Sequence, residues 1–489
     1  MADTSRTPGS SSATRRTFLA GTAVAAGTGL GGLTASPARA ATSAAATGAA
    51  AAGWPDGPGS PNLPQQPDAE LRGILAAIDP SRIEATVRKL VSFGTRHTLS
   101  SQDDPERGIG AARDCIYDTM SSYAAVSGGR MTVEKQSFVQ PPSSRVPTAT
   151  TITNVIATLR GSEDPDRVYV ISGHYDSRCT DVMDSTSDAP GADDDASGVA
   201  VSMEIARVLA SHRPQATIVL AAVAGEEQGL YGSDHMAQVF KDSGADVQAM
   251  FTNDIVGSST ADDGTRDPRT LRLFAEGVPS DETADEANTR RSVGGENDSP
   301  SRQLARFVTE VATDRATGMT VRVIYRRDRY LRGGDHISFL TRGFPAGRFT
   351  EPNEDYAHQH QDVRVVDGEQ YGDLPQFCDF GYIARVARVN AATLWSLAIA
   401  PGTPTNVKVV TTNLTNDTEL VWDASTATDL DHYEIVWRPT TEPSWTHVID
   451  VGTATRAVVD LSKDNALFGV RAVDRDGHRS PAAFPVPQR

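Results

Sequence analysis

Three short apolar runs constrain this chain more than any other feature. Val168-Tyr169-Val170-Ile171, residues 217–223 and Met250-Phe251-Thr252-Asn253-Asp254 have the length of buried strands. Between the first two, residues 199–209 carry a helical pattern, and residues 69–93 and 108–123 read as helices ahead of them. Strands that alternate with helices predict an α/β fold with a mostly parallel central sheet flanked by helices. Function in such sheets gathers at the carboxyl ends of the strands. Here His174 and Glu226 with Glu227 stand just after the first two runs, and Asp254 ends the third.

The 489 residues exceed one ordinary domain. Thr14-Arg15-Arg16-Thr17-Phe18-Leu19, an apolar run to about residue 33 and Ala38-Arg39-Ala40 have the order of a twin-arginine export signal over residues 1–40. This predicts a secreted protein with no stable membrane anchor once the signal is removed. Residues 41–68, rich in Ala, Gly, Pro, Ser and Gln, read as a flexible linker or pro-segment. Residues 69–400 form the main body, in which 257–301 reads as a long surface excursion. Pro401-Gly402-Thr403-Pro404 marks a boundary, and 402–489 breaks into short strand-like runs at the spacing of a β-sandwich. A net charge of -17 argues against nucleic acid as a partner, because phosphate backbones are held by Lys and Arg. Three cysteines, Cys115, Cys179 and Cys378, are too few for a disulfide scaffold and leave one bridge open.

Five segments carry chemistry only when taken together. In Ser172-Gly173-His174-Tyr175-Asp176-Ser177 a strand-end imidazole is followed by an Asp able to fix its tautomer. In Gly191-Ala192-Asp193-Asp194-Asp195-Ala196-Ser197-Gly198 three carboxylates repel one another before a helix, and a divalent cation would offset that repulsion. In Gly225-Glu226-Glu227-Gln228-Gly229 neighbouring side chains diverge, so one can bind metal while the other faces water. Asp254 closes a strand, and Asp355-Tyr356-Ala357-His358-Gln359-His360-Gln361-Asp362 supplies histidines. The sum is two imidazoles, three carboxylates and one free carboxylate, a mixed N/O set suited to zinc.

Residues 69–398 resemble the secreted two-zinc aminopeptidases of the bacterial leucyl aminopeptidase type, on the strength of the His174, Asp194 and Glu226-Glu227 motifs. The resemblance implies two zinc ions per chain. His174 and Asp254 would hold one, Glu227 and His358 the other, and Asp194 would bridge them. Asp176 would orient His174, and Glu226 would be the general base. His358 lies four residues before Asp362, the family's spacing, and His360 is its rival. Tyr330 lies loosely where the family places an oxyanion-steadying tyrosine, and His336 reads as structural. The implied reaction is hydrolysis of the N-terminal peptide bond of a peptide or protein, with an apolar first residue favoured. A carboxypeptidase-like or glutaminyl-cyclase-like enzyme on the same fold is the alternative, and a non-catalytic binding protein is another. Residues 404–486 resemble a fibronectin type III domain through Pro404, Trp422, Tyr433 and the run from Phe468 to Asp474, with Phe468 where that family has its corner tyrosine. Such a module is expected to bind cell wall, polysaccharide or protein and to be separable from catalysis.

Overall fold

The computed structural model describes residues 54–313 and 315–488. The export signal and the first part of the expected linker lie outside the described residues.

An eight-stranded sheet organises the main body. Its order is Met131–Gln140, Thr150–Leu159, Ala216–Val223, Asp164–His174, Asp246–Asn253, Ala346–Thr350, Thr270–Ala275 and Thr320–Ile324. The four strands from Ala216–Val223 to Ala346–Thr350 run parallel, and antiparallel neighbours join them on either side. Every residue of Ala216–Val223 is buried, as expected for a strand covered on both faces. Alternate residues feed opposite layers. Tyr169, Ile171, Ile218 and Leu220 pack with the helices Pro80–Val91, Ala196–Leu209 and Phe380–Ile399. Val168, Val170, Val219 and Ala221 pack with Met236, Phe339 and Leu340 on the other face.

The expected strands and the helix at 199–209 are present, with extended ends: Asp164–His174, Ala216–Val223, Asp246–Asn253 and Ala196–Leu209. The long helix expected at 69–93 is two helices, Ala69–Ala76 and Pro80–Val91. Asp79 caps the second through Ser81 N at 2.8 Å, with Pro80 in the first turn where its missing N–H costs nothing. The surface excursion expected at 257–301 is corrected. Thr270–Ala275 lies inside the sheet, and a capped helix, Ala284–Val293, follows. Leu271 and Leu273 are buried, while Arg272 alternates with them and meets Glu354 at 3.5 Å. The charged residue masks the strand in sequence.

The C-terminal segment is a β-sandwich. One sheet joins Ser60–Pro61, His447–Asp450, Leu430–Pro439 and Ala466–Asp474; the other joins Arg456–Val459, Thr418–Val421, Lys408–Val410 and Val486–Gln488. Leu420, Trp422, Tyr433, Trp437, Phe468 and Val470 fill it. The described part of the expected linker is not free-standing. Ser60 and Pro61 pair with Val448 and His447, and Trp437 Nε1 donates to Pro58 O at 2.8 Å. The sandwich is also locked to the main body by buried charge. Arg438 Nη2 meets both oxygens of Asp298 at 2.9 and 2.8 Å, Arg306 Nη1 joins them at 3.0 Å, and Arg471 Nη1 reaches Glu310 at 2.8 Å. The described residues accordingly group as one compact unit, which argues against a detachable module. All three cysteines are free. Among the described residues no helix is long and apolar enough to cross a membrane.

Candidate metal centre

Two close backbone approaches bring the site together. A Cβ on Gly173 would stand 2.4 Å from Gly198 C, and a Cβ on Gly198 would stand 2.1 Å from Asn253 O. Only glycine at both positions lets the start of Ala196–Leu209 press against the ends of two strands. His174, the last residue of its strand, Asp194 before the helix, and Asp254 after Asp246–Asn253 therefore converge.

The three consecutive aspartates have separate duties. Asp193 accepts from Gly257 N at 2.6 Å. Asp195 accepts from His174 N at 2.9 Å and from Gly198 N at 3.0 Å, which caps the helix. Asp373 accepts from the N–H groups of Asp193 and Asp194, both at 2.8 Å, and fixes the turn. Only Asp194 aims its carboxylate into the centre. Its Oδ1 lies 3.0 Å from His174 Nε2, and its Oδ2 lies 2.9 Å from His360 Nε2. His360 Nε2 also lies 3.0 Å from Glu227 Oε1.

Two donor groups result. Atoms of His174, Asp194 and Asp254 lie within 4.8 Å of one another, as do atoms of Asp194, Glu227 and His360. Asp194 belongs to both. Ligands about 2.0–2.1 Å from one tetrahedral zinc stand roughly 3.3 Å apart, close to the spacings seen. The polar bookkeeping agrees. Glu227 Oε1 is buried with no hydrogen-bond donor, and one imidazole N–H cannot point at two carboxylates at once. The donor set fits two cations sharing one carboxylate.

His358 is corrected. Its ring stacks on Phe377 with centroids 3.6 Å apart, and its Nδ1 faces Asp355 at 3.3 Å. The spacing to Asp362 misleads because His360 has φ 56°, a left-handed turn that swings its side chain inward. Asp362 meanwhile accepts from Thr180 N at 3.1 Å. Tyr330 is 77% exposed with the Arg326 guanidinium 4.5 Å from its ring centre, and His336 is buried with Nε2 donating to Arg327 O at 2.8 Å.

Asp176 orients His174 differently from expectation. His174 Nδ1 lies 3.1 Å from the Asp176 carbonyl oxygen and 3.6 Å from its carboxylate. A carbonyl only accepts, so Nδ1 carries the hydrogen and Nε2 is left to face Asp194. The Asp176 carboxylate instead accepts from Glu226 N at 3.3 Å, Glu227 N at 3.1 Å and Thr98 Oγ1 at 3.1 Å. It sets the two glutamates in place. The Glu226 carboxylate has no hydrogen-bond partner among the described residues and lines a cavity of about 690 Å³. Burial, together with Asp254 and Glu227, pushes its pKa well above the usual range despite the opposing pull of His174. Burial lowers and the Glu227 and Asp194 carboxylates raise the pKa of His360, to about 10 on balance.

Sequence reasoning missed Arg348. It is fully buried, with Nη2 on Asp254 Oδ1 at 2.7 Å and Nη1 on Oδ2 at 2.6 Å. A lone Arg in Ala346-Gly347-Arg348-Phe349-Thr350 was the available signal, because a charge inside a buried strand needs a partner. Gln359, whose Nε2 donates to Asp194 Oδ2 at 3.1 Å, had no such signal.

The model of peptidase family M28 matches residues 154–366, a stretch that holds all the donors named above. A probable zinc metalloprotease of Pyrenophora tritici-repentis is 56% identical over 435 residues, covering 88% of this chain and 90% of the relative. One of Leptosphaeria maculans is 58% identical over 421 residues, covering 86% and 98%. Alignments of that length exceed the main body and run into its flanks. Among solved structures, the LapA aminopeptidase of Legionella pneumophila superposes with TM-score 0.48 at 18% identity over 69% of this chain and 76% of that one. A glutaminyl cyclase of Porphyromonas gingivalis gives 0.43 at 18% over 65% and 98%. These loose superpositions do not select a reaction. The extended identity to the two fungal proteins and the family match, taken together, place this chain in peptidase family M28, a zinc metallopeptidase family.

Proposed function

We propose that the protein is an exported two-zinc aminopeptidase. The observation that carries this reading is Asp194, whose two oxygens face one histidine each in two overlapping donor groups. His174, Asp194 and Asp254 would hold one ion, and Asp194, Glu227 and His360 the other. Zinc bound there supplies Lewis acidity, which polarises a carbonyl and lowers the pKa of water.

The chain's own residues do the rest. Arg348 holds the Asp254 carboxylate in its buried position. The Asp176 carbonyl fixes the His174 tautomer, and its carboxylate anchors the Glu226 and Glu227 backbone. The Glu226 carboxylate has no hydrogen-bond partner among the described residues and lines the cavity, so it is placed to take a proton from water and deliver it to the leaving amine. Export would follow from the signal at residues 1–40, and the sandwich would be a fibronectin type III-like domain serving as a spacer or binding surface.

Assays of the zinc-loaded protein on aminoacyl 4-nitroanilides and on N-blocked peptides test the reaction. Release from the free-amine substrates alone supports the aminopeptidase reading. Release from the C-terminal end of N-blocked peptides refutes it in favour of a carboxypeptidase, and cyclisation of N-terminal glutamine in favour of a glutaminyl cyclase.

A further inference from the structure

The cavity wall does not match the apolar first residue that the sequence resemblance implies. It is lined by Arg145, Arg178, Arg329 and Arg332 alongside Glu226, Glu227, Asp254 and His360, with Leu230 and Tyr356 among its few apolar contributors. Four guanidinium groups around one cavity stand out in a chain with 63 acidic and 46 basic residues.

Two of the four already have carboxylate partners. Arg329 pairs with Asp328 at 3.0 Å and with Glu354 at 3.4 Å, and Arg332 pairs with Glu354 at 2.5 Å. The other two are not. Arg145 Nη1 donates to Glu227 O at 2.9 Å, next to the donor cluster. Arg178 donates through Nε to Cys179 O and through Nη2 to Thr180 O, both at 3.1 Å. These acceptors are backbone carbonyls. Among the described residues neither Arg145 nor Arg178 has a carboxylate partner. Their carbonyl contacts hold the side chains without cancelling the charge, Arg145 exposed and Arg178 half-buried. The planar guanidinium that remains matches a carboxylate in shape and charge.

We propose that Arg145 and Arg178 form a subsite for a substrate carboxylate, so that the enzyme selects peptides that present a carboxylate there. This rests on the peptidase reading above and names the substrate class of the same cavity. The carboxylate has two sources: an acidic side chain at the first or second residue, or the free chain terminus of a short peptide. All present the same oxygens to the two arginines.

Matched substrate pairs, cleaved by the full zinc-loaded chain, separate the sources. Glutamyl against glutaminyl 4-nitroanilide probes the first side chain. Leu-Glu-amide against Leu-Gln-amide probes the second, and Leu-Gly against Leu-Gly-amide probes the terminus. At least one pair is expected to favour its carboxylate member in kcat/KM by about tenfold or more, mostly through KM. In the Arg145→Gln/Arg178→Gln double variant that ratio is expected to fall to near one, and Lys at both positions is expected to restore it in part. A general loss of structure would lower both members together and leave the ratio intact. Equal cleavage or a neutral preference in all three pairs overturns the subsite. So does a preference that survives the double variant. If no substrate is cleaved, the aminopeptidase reading fails instead. Calorimetric binding of the same pairs to zinc-loaded Glu226→Gln protein then still reads the subsite, by the same ratio and the same two overturning results.

Discussion

Arg348→Met tests how the buried ion pair behind the centre supports it. Arg348 is fully buried and places one nitrogen on each oxygen of Asp254, at 2.7 and 2.6 Å. It also donates to Asp254 O and Gly333 O, both at 3.1 Å. Methionine fills similar space but supplies no donor. Removing one partner of a buried charge pair costs about 3–5 kcal/mol, because the other charge stays buried and alone. That full loss belongs to the metal-free protein; bound zinc would itself neutralise part of the Asp254 charge. For the metal, loss of a residue that orients a ligand weakens affinity about 10–100-fold, or roughly 1.4–2.7 kcal/mol. Zinc affinity by competition with a chromogenic chelator, and thermal unfolding with and without zinc, measure the two terms. The expected result is weakened affinity at one site of two, with the larger drop in unfolding temperature in the chelated protein. Affinity within about twofold of the parent, with unchanged unfolding, would show that the pair does not support the metal ligand.

Further outcomes follow from the same geometry. His360→Ala is expected to remove one zinc per chain, while His358→Ala keeps both, read by elemental analysis; the reverse pattern would restore His358 as ligand. Glu226→Gln is expected to keep its zinc and lose turnover by about 10²–10⁴-fold; near-normal turnover would remove Glu226 from proton transfer. His360 in the metal-free protein has its pKa raised to about 10, so its stabilising charge is complete below the unfolded value near 6.5 and is lost as pH rises towards 10. Chelated protein should therefore lose stability over that window in thermal scans, and His360→Gln should flatten the loss. Deleting residues 402–489 should abolish soluble, cooperatively folding protein, because Asp298 and Glu310 would lose Arg438 and Arg471; a folded, active truncation would contradict the locked interface.

Much of this was legible in sequence for physical reasons. Parallel strands covered on both faces must be apolar throughout, so residues 168–171 and 217–223 announced themselves. His174, Glu227 and Asp254 follow strand ends, where sheet geometry exposes them, while Asp194 joins them through the family resemblance that its motif carries. The rest depended on information that residue types do not carry. The choice of His360 over His358 is made by a left-handed backbone angle and a stacking contact with Phe377. The strand Thr270–Ala275 was hidden by Arg272, whose partner Glu354 lies far along the chain. Residues 54–68 looked like linker because their partners, His447 and Trp437, are supplied by the opposite end of the sequence.

Diffraction data collected on either side of the zinc absorption edge would examine the shared carboxylate directly. A two-ion centre gives two anomalous peaks about 3.5–4 Å apart, one on each side of Asp194, with His174 and Asp254 at one and Glu227 and His360 at the other. A single peak from zinc-saturated crystals, or a pair that does not share Asp194, would contradict it.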